Sequence, residues 1–439
     1  MNGNYYVKVT NINSNAAGIK SAFVKSNTVS VIVRQYGVNF YDDNLDLIKT
    51  IGVDAGLYDL SDLQSGYIWY AAESNLPTIS YSITQSANFY ALPDVHEIQN
   101  ETQLYNIRND LNGNYILINN ISLTNETLNE TSGWNPIGDS NNPFTGILNG
   151  NKHKVTDLFI NNTIKAHVGF FGYIYGGTVK NLGIEASEKG VAEYSSNMGT
   201  NRDVGYIAGY ISNGVITNCY SMGNIVSGRG TVHIGGIAGG VENTVISNCY
   251  TAGDITITGD WAAGRITAYA GNSTINNCYS TKNITITEGN QMYAGGTFIN
   301  NCYSIGNISA SGGMIVGGIL GHNENSISTI SNCAAINKNI SGGSGNRIFG
   351  EEPSITALIN NFADSDMLVN KETVSDSNVN RIGKTLAEFQ SKSIYENAVN
   401  GDSLGGLGWK FGNDDDNPWV WGAFDDYLYP TLYYQTQRP

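Results

Sequence analysis

An Asn-Cys motif recurs along the chain at near-coil spacing. Cys219, Cys249, Cys278, Cys302 and Cys333 each follow an Asn, and four of the five are followed by Tyr. Aligned on Asn181, Asn218, Asn248, Asn277, Asn301, Asn332 and Asn361, the intervals are 37, 30, 29, 24, 31 and 29 residues. A unit of this length cannot bury its own apolar face, so units must stack on one another. Ahead of most of these Asn residues lies an apolar-glycine segment, as in Val168-Gly-Phe-Phe-Gly, Val204-Gly-Tyr-Ile-Ala-Gly and Ile234-Gly-Gly-Ile-Ala-Gly. After them Gly-Asn or Gly-Asp precedes Ile225, Ile255 and Ile308. That gives about three strands per repeat. Alternating apolar positions and frequent Gly exclude helical repeats. The expected fold is all-β: a single-stranded parallel β-helix solenoid of right-handed type, with like residues ~4.8 Å apart along its axis.

The Asn position carries a local prediction. Ile216, Ile246, Ile275, Ile299 and Ile330 sit two residues before an Asn, and each Cys sits one after. Both types favour the interior, yet residues three apart on a straight strand face opposite sides. The chain must therefore bend at the Asn, a residue that tolerates left-handed backbone. Its amide can also bond to the Asn above and below. An internal Asn ladder with a stack of small buried thiols beside it is the expectation. Five cysteines cannot all pair within one chain, and no Cys or His spacing suggests zinc, so no metal is expected.

These residues resemble the Gly-Leu-any-Gly (GLUG) repeat group of β-helical surface proteins. The resemblance starts at Gln103-Leu-Tyr105 and Asp110-Leu-Asn-Gly-Asn-Tyr-Ile-Leu117. It runs through Trp134-Asn-Pro-Ile-Gly138, Phe144-Thr-Gly-Ile-Leu-Asn-Gly150, Val168-Gly-Phe-Phe-Gly172 and Gly176-Gly-Thr-Val-Lys-Asn-Leu-Gly183. It covers about residues 97 to 435 and implies the fold. Such coils occur in adhesins and phage-tail-like proteins, and the group supplies no catalytic motif that maps here.

Residues 1–93 lack the repeat and alternate apolar with polar residues, as in Tyr5–Thr10, Val29–Arg34 and Ile79–Thr84, which suggests a small strand-rich attachment or assembly domain. Residues 94–365 form the solenoid. Residues 366–439 hold an irregular stretch, with a short helix over Thr385–Glu396, and an aromatic terminal element that caps the solenoid. The net charge of −15 argues against nucleic acid, no apolar run approaches a membrane span, and no secretory signal opens the chain. An extracellular or virion-surface protein is expected. It would reach other surface or virion proteins through its first domain and assemble as a homotrimer.

Two outer constellations could carry function. Tyr220, Tyr250, Tyr279 and Tyr303 fall two residues after successive ladder Asn, and alternation points them outward. They form either a structural stack or, with Trp261, a sugar-stacking strip. Glu193, Arg229, Asp260 and Glu288 fall 11 or 12 residues past their Asn, so consecutive coils bring them to one edge. Carboxylates ~5 Å apart could serve glycoside cleavage, although flanking glycines suggest solvated loop tips. Trp419 and Trp421 are capping residues or sugar contacts, and Asp414–Asp416 could hold calcium. The expected function is recognition of cell-surface glycans, by a tail-spike-type protein or an adhesin. A polysaccharide-degrading enzyme and a structural spacer are the alternatives.

Overall fold

A computed structural model describes residues 36–41, 47–54, 56–59, 69–71, 80–83, 85 and 87–91. It also describes 95–437 apart from 125–132, 162–164, 194–201, 228–231, 259–262, 282, 288–297, 312–314, 321–328, 351–356, 377–381, 397–405, 414–416 and 422–428. The chain divides into two compact units, Met1–Val95 and His96–Pro439. In the first, a four-stranded sheet has the order Leu47–Val53, Tyr36–Tyr41, Ala87–Ala91, Trp69–Ala71. Its second strand runs antiparallel to the first and parallel to the third. Val38, Phe40 and Phe89 are fully buried, and the two rings stack with centroids 5.7 Å apart. Ser80–Ile83 pairs antiparallel with Gly56–Asp59. The Tyr5–Thr10 and Val29–Arg34 stretches lie outside the described residues.

The second unit is a parallel β-helix. One coil runs through Val232–Gly235, Ala238–Glu242, Val245–Ser247, Tyr250–Ala252 and Ile255–Thr258. That is five short strands where the sequence pattern suggested about three, because tight corners at glycine and asparagine subdivide each run. Each of these five strands pairs in parallel with its counterparts on the neighbouring coils. Ile216, Ile246, Ile275, Ile299 and Ile330 stack in register and are 0–6% exposed. Ile225, Ile255, Ile284, Ile308 and Ile340 do the same on another face. The apolar-glycine segments fold one sheet closely against the next. A Cβ on Gly239 would lie 2.4 Å from the backbone nitrogen of Val204, so no larger residue fits there.

The corner at the Asn column is left-handed. Asn181, Asn218, Asn248, Asn277, Asn301 and Asn332 have φ between 51° and 54°. Their side chains bond along the axis. Asn181 Nδ2 donates to Asn149 Oδ1 at 3.1 Å, Asn218 to Asn181 at 3.2 Å, Asn277 to Asn248 at 3.0 Å and Asn301 to Asn277 at 3.1 Å. Asn332 reaches Asn300 instead, at 3.1 Å. The last rung corrects the sequence alignment by one residue. Asn360, with φ 49°, donates to Asn332 Oδ1 at 2.9 Å. Asn361 occupies the next position, that of the cysteines. There its Oδ1 accepts from the Cys333 amide at 2.9 Å and its Nδ2 donates to the Ile330 carbonyl at 2.7 Å.

The five cysteines are buried and free. Each thiol lies 3.1–3.2 Å from the carbonyl two residues before it. Burial pushes the Cys249, Cys278 and Cys333 thiols well above their ordinary range. At the start of the helix, the short α-helix Glu101–Asn106 and the 3-10 turn Ile107–Asn109 bury Leu104 and Ile107. Towards the end, the predicted single helix is two short ones, Leu386–Phe389 and Ser393–Glu396. A Thr385–Glu388 capping box opens the first. Among the described residues no helix is long and apolar enough to cross a membrane.

Replacing Asn277 by Leu removes a donor and an acceptor from the ladder and places a γ-branched side chain at φ 51°. The expected loss is about 1–3 kcal/mol for each partner left unsatisfied, read by urea unfolding. Asn277→Gly should recover the backbone part of that loss and not the ladder part. Equal midpoints for wild type and the Leu variant would remove the ladder from the stability account. Thiol titration should find all five cysteines unreactive in the native protein and reactive after unfolding without reductant.

Candidate functional site

The tyrosine column is a packed interior and not a sugar platform. Tyr220, Tyr250, Tyr279 and Tyr303 are 2%, 8%, 3% and 2% exposed. Their rings stack at 5.1, 5.1 and 4.8 Å between centroids and within 8° of parallel. Alternation does point them away from the coil interior, but the C-terminal segment returns over them. Tyr434 Oη donates to the Cys219 carbonyl at 3.0 Å, 215 residues away. Tyr303 Oη donates to the Pro430 carbonyl at 2.7 Å, and Tyr279 Oη to Gln435 Oε1 at 2.9 Å. In the next coil Ala334 takes the tyrosine position. Trp409 packs there, stacked on Tyr303 at 6.0 Å and donating Nε1 to the Asn332 carbonyl at 2.7 Å. Trp419 is fully buried and lies 4.4 Å from Trp409 by ring centroid, while Trp421 is only partly covered. The aromatic element therefore covers a flank spanning several coils, rather than only the end of the stack.

The charged edge is mostly outside the described residues: Arg229, Asp260, Trp261 and Glu288, together with Asp414–Asp416, fall there. Glu193 ends the strand Gly183–Glu193, and its backbone pairs with Ser227 of the next coil.

Two polar clusters that sequence reasoning did not single out are well defined. In the first, His167, Asp203 and His233 occupy one register position on three successive coils. Asp203 is 4% exposed. Its Oδ1 lies 2.8 Å from His233 Nδ1 in a hydrogen bond. His167 Nδ1 lies 2.9 Å from Oδ2, but off the line that a hydrogen bond needs. Tyr173 and Tyr210 stack beside them at 5.3 Å, and Tyr269 lies over His233 at 5.6 Å. Gly240 stands between Tyr210 and Tyr269 in the same register, and Tyr210 leans across it: a Cβ there would lie 2.7 Å from the ring. Burial raises the Asp203 carboxyl, but contact with the two imidazoles outweighs it and leaves the group below its ordinary value. The signal was present in the sequence, because each of the three residues immediately precedes an apolar-glycine pair. The cluster clamps three coils together. Among the described residues no group of three or more His, Cys, Asp or Glu side chains is placed to hold a metal.

The second cluster lines an open groove of about 600 Å³ beside the first coils. Asn109, Asn112, Asn135, Asn141 and Asn142 present carboxamides around half-buried Arg108 and Lys165. The Arg108 guanidinium rests 4.0 Å from the Tyr105 ring centroid and 4.3 Å from that of Trp134. It donates to the carbonyls of Tyr105, at 2.6 Å, and of Asn135. Lys165 Nζ donates to Asn135 Oδ1 at 2.5 Å. Asp139 Oδ1 accepts the amides of Asn141 and Asn142 at 2.9 and 3.0 Å, which closes the loop on the groove's rim. Burial lowers the Arg108 pKa to about 10. It also lowers Lys165, which Asp139 pulls up and Arg108 pushes down.

No family model matches the chain. A Gly-rich membrane protein of Evansella cellulosilytica, so named provisionally, is 40% identical over 90 residues, which are 20% of this chain and 10% of that relative. The chain thus spans about a tenth of the curated relative it matches. A crystal structure of a candidate immunoglobulin A1 protease from Bacteroides ovatus aligns with a TM-score of 0.47 at 22% identity, covering 70% of this chain and 91% of that one. A structure described as an IgA1 protease aligns with a TM-score of 0.44 at 16% identity, covering 66% of this chain and 23% of its own.

Two stability predictions follow from this geometry. Trp409→Ala should open a cavity on the tyrosine flank and cost about 3–5 kcal/mol, seen as a lowered melting temperature with new solvent quenching of tyrosine fluorescence. An unshifted melt would mean the segment is not anchored there. The Asp203 carboxyl has a folded pKa below its ordinary 3.8. It therefore stabilises the fold above that pH, and the contribution fades as pH falls through the folded value. Wild type should out-melt Asp203→Asn near neutrality, and the gap should close below about pH 4. Parallel curves across that range would contradict the clamp.

Proposed function

We propose that this chain is a recognition module displayed outside the cell, on a cell or particle surface, and that it binds glycans through the carboxamide groove of its first coils. The groove itself carries the proposal. Its volume falls in the range of small-ligand sites, roughly 300–1,000 Å³. Its lining offers paired donors and acceptors from five Asn side chains, the chemistry that hydroxyl-rich ligands require. Tyr105 and Trp134 hold Arg108 in place from below. The GLUG-like repeats fit a surface protein, and so does the name of the membrane protein that shares a 90-residue stretch. On this view the first unit attaches the module to its carrier, and the β-helix is a stiff scaffold. The tyrosine column belongs to that scaffold and takes no part in recognition.

The test is a glycan array probed with the full chain, followed by titration of any hit against Asn141→Ala/Asn142→Ala. The double variant should weaken binding at least about tenfold, about 1.4 kcal/mol, with an unchanged melting curve because both side chains are exposed. A reducing-sugar assay on the hit should stay at background. An array without hits across neutral and acidic glycans would sink the proposal. Steady release of reducing ends would move the chain to the degrading enzymes.

A further inference from the structure

We infer that the groove selects a saccharide bearing a single carboxylate, such as a uronate or sialate residue, held between Arg108 and Lys165. This rests on the glycan reading above and adds the ligand's charge.

Charge is the first reason. The chain carries a net −15, yet among the described residues the charged ones lining this groove are Arg108, Lys165 and Asp139, a local sum of +1. The single carboxylate is partly engaged, since its Oδ1 already takes two backbone amides. The two cations meet on one residue, Arg108 at the Asn135 carbonyl and Lys165 at the Asn135 carboxamide, and both are half-buried. Two like charges sharing a half-buried site favour an anion between them.

Pre-organisation is the second. Arg108 is fixed by two backbone carbonyls and by contact with two rings, so little side-chain freedom is lost when it meets a ligand. Its Nε is buried without an acceptor among the described residues. Lys165 and the exposed carboxamides supply adaptable contacts around it.

The charge sum also sets the kind of anion. A monoanion matches +1. A phosphate dianion or a densely charged polymer would exceed it and would meet the field of a −15 molecule within a screening length of about 8 Å. A carboxylate on an otherwise neutral sugar chain satisfies the cations and leaves hydroxyls for the Asn side chains.

The experiment is calorimetric titration of the full chain with uronate- and sialate-containing oligosaccharides, each beside its carboxyl-reduced counterpart. The acidic form should bind at least about tenfold more tightly. Lys165→Gln should remove the preference, so that the acidic and the reduced forms bind the variant within about twofold of each other, whatever the change in either affinity. Lys165→Arg should restore the preference. Because Arg108 is structural as well, Arg108→Lys is read only beside its melting curve, and the Lys165 pair decides. Equal binding of acidic and reduced forms, with both weakened by Asn141→Ala/Asn142→Ala, would overturn the charge inference and keep the glycan reading. Binding of neither form would overturn both. Preference for inorganic phosphate or a sulfated oligosaccharide over the carboxylates would also overturn the inference.

Discussion

In the stacked strands of this solenoid the peptide groups find their partners on neighbouring coils and not in their own, and the rest of the second unit depends on that. Parallel pairing from coil to coil fixes the register, and fixed register puts like residue over like residue. A column then succeeds only if its residue type tolerates its own company at ~4.8 Å. Isoleucine does so by packing, tyrosine by offset ring stacking, and asparagine by donating to one neighbour and accepting from the other. Cysteine does so as a small buried group whose proton can go to a carbonyl. The corner is where backbone and side chain agree most closely. Asn is the common residue that both accepts φ near 50° and continues a ladder.

That constraint explains what could be read from the sequence. The β-helix follows from the interval between motifs, the left-handed corner from two inward residues set three apart, and the buried thiols from their place beside it. The slip from Asn361 to Asn360 has a simple cause. Two asparagines are adjacent there, the motif lacks its Cys, and only the backbone angle tells which one turns the corner. The tyrosine column stacks as one of its two readings expected, but its burial was not legible, for a different reason. Alternation gives a side chain's direction relative to its own coil. It carries no information about a segment that comes back from more than 200 residues later in the chain to cover that face. The cluster at Asp203 was legible, because His, Asp and His precede the same apolar-glycine pair on successive coils. It went unread because the three residues are not identical.

That mixture is itself a consequence of stacking. A column of identical charges would place like ions one coil apart, and opposite or neutral partners are the stable choice. Asp203 between two histidines obeys the rule, and so does the low charged fraction of the whole chain, 14%. Charged chemistry on such a scaffold is pushed off the ladders and into corners and loops, where neighbouring coils need not repeat it.

The groove at Arg108 and Lys165 lies where the repeat is least regular. Arg108 and Asn109 come from the 3-10 turn that follows the first helix, Lys165 from a connection between strands, and the other carboxamides from the irregular stretches around 112, 135 and 141–142. None of these positions has a like residue stacked on it in the described pairings, so none is held to a type that tolerates its own copy. Two cations can therefore sit side by side there, with Tyr105 and Trp134 supplying the packing that a coil above would otherwise provide. In a protein whose regular faces are committed to holding neighbouring coils together, unlike side chains gather most readily where the stacking rule lapses, and the first coils hold one such place among the described residues.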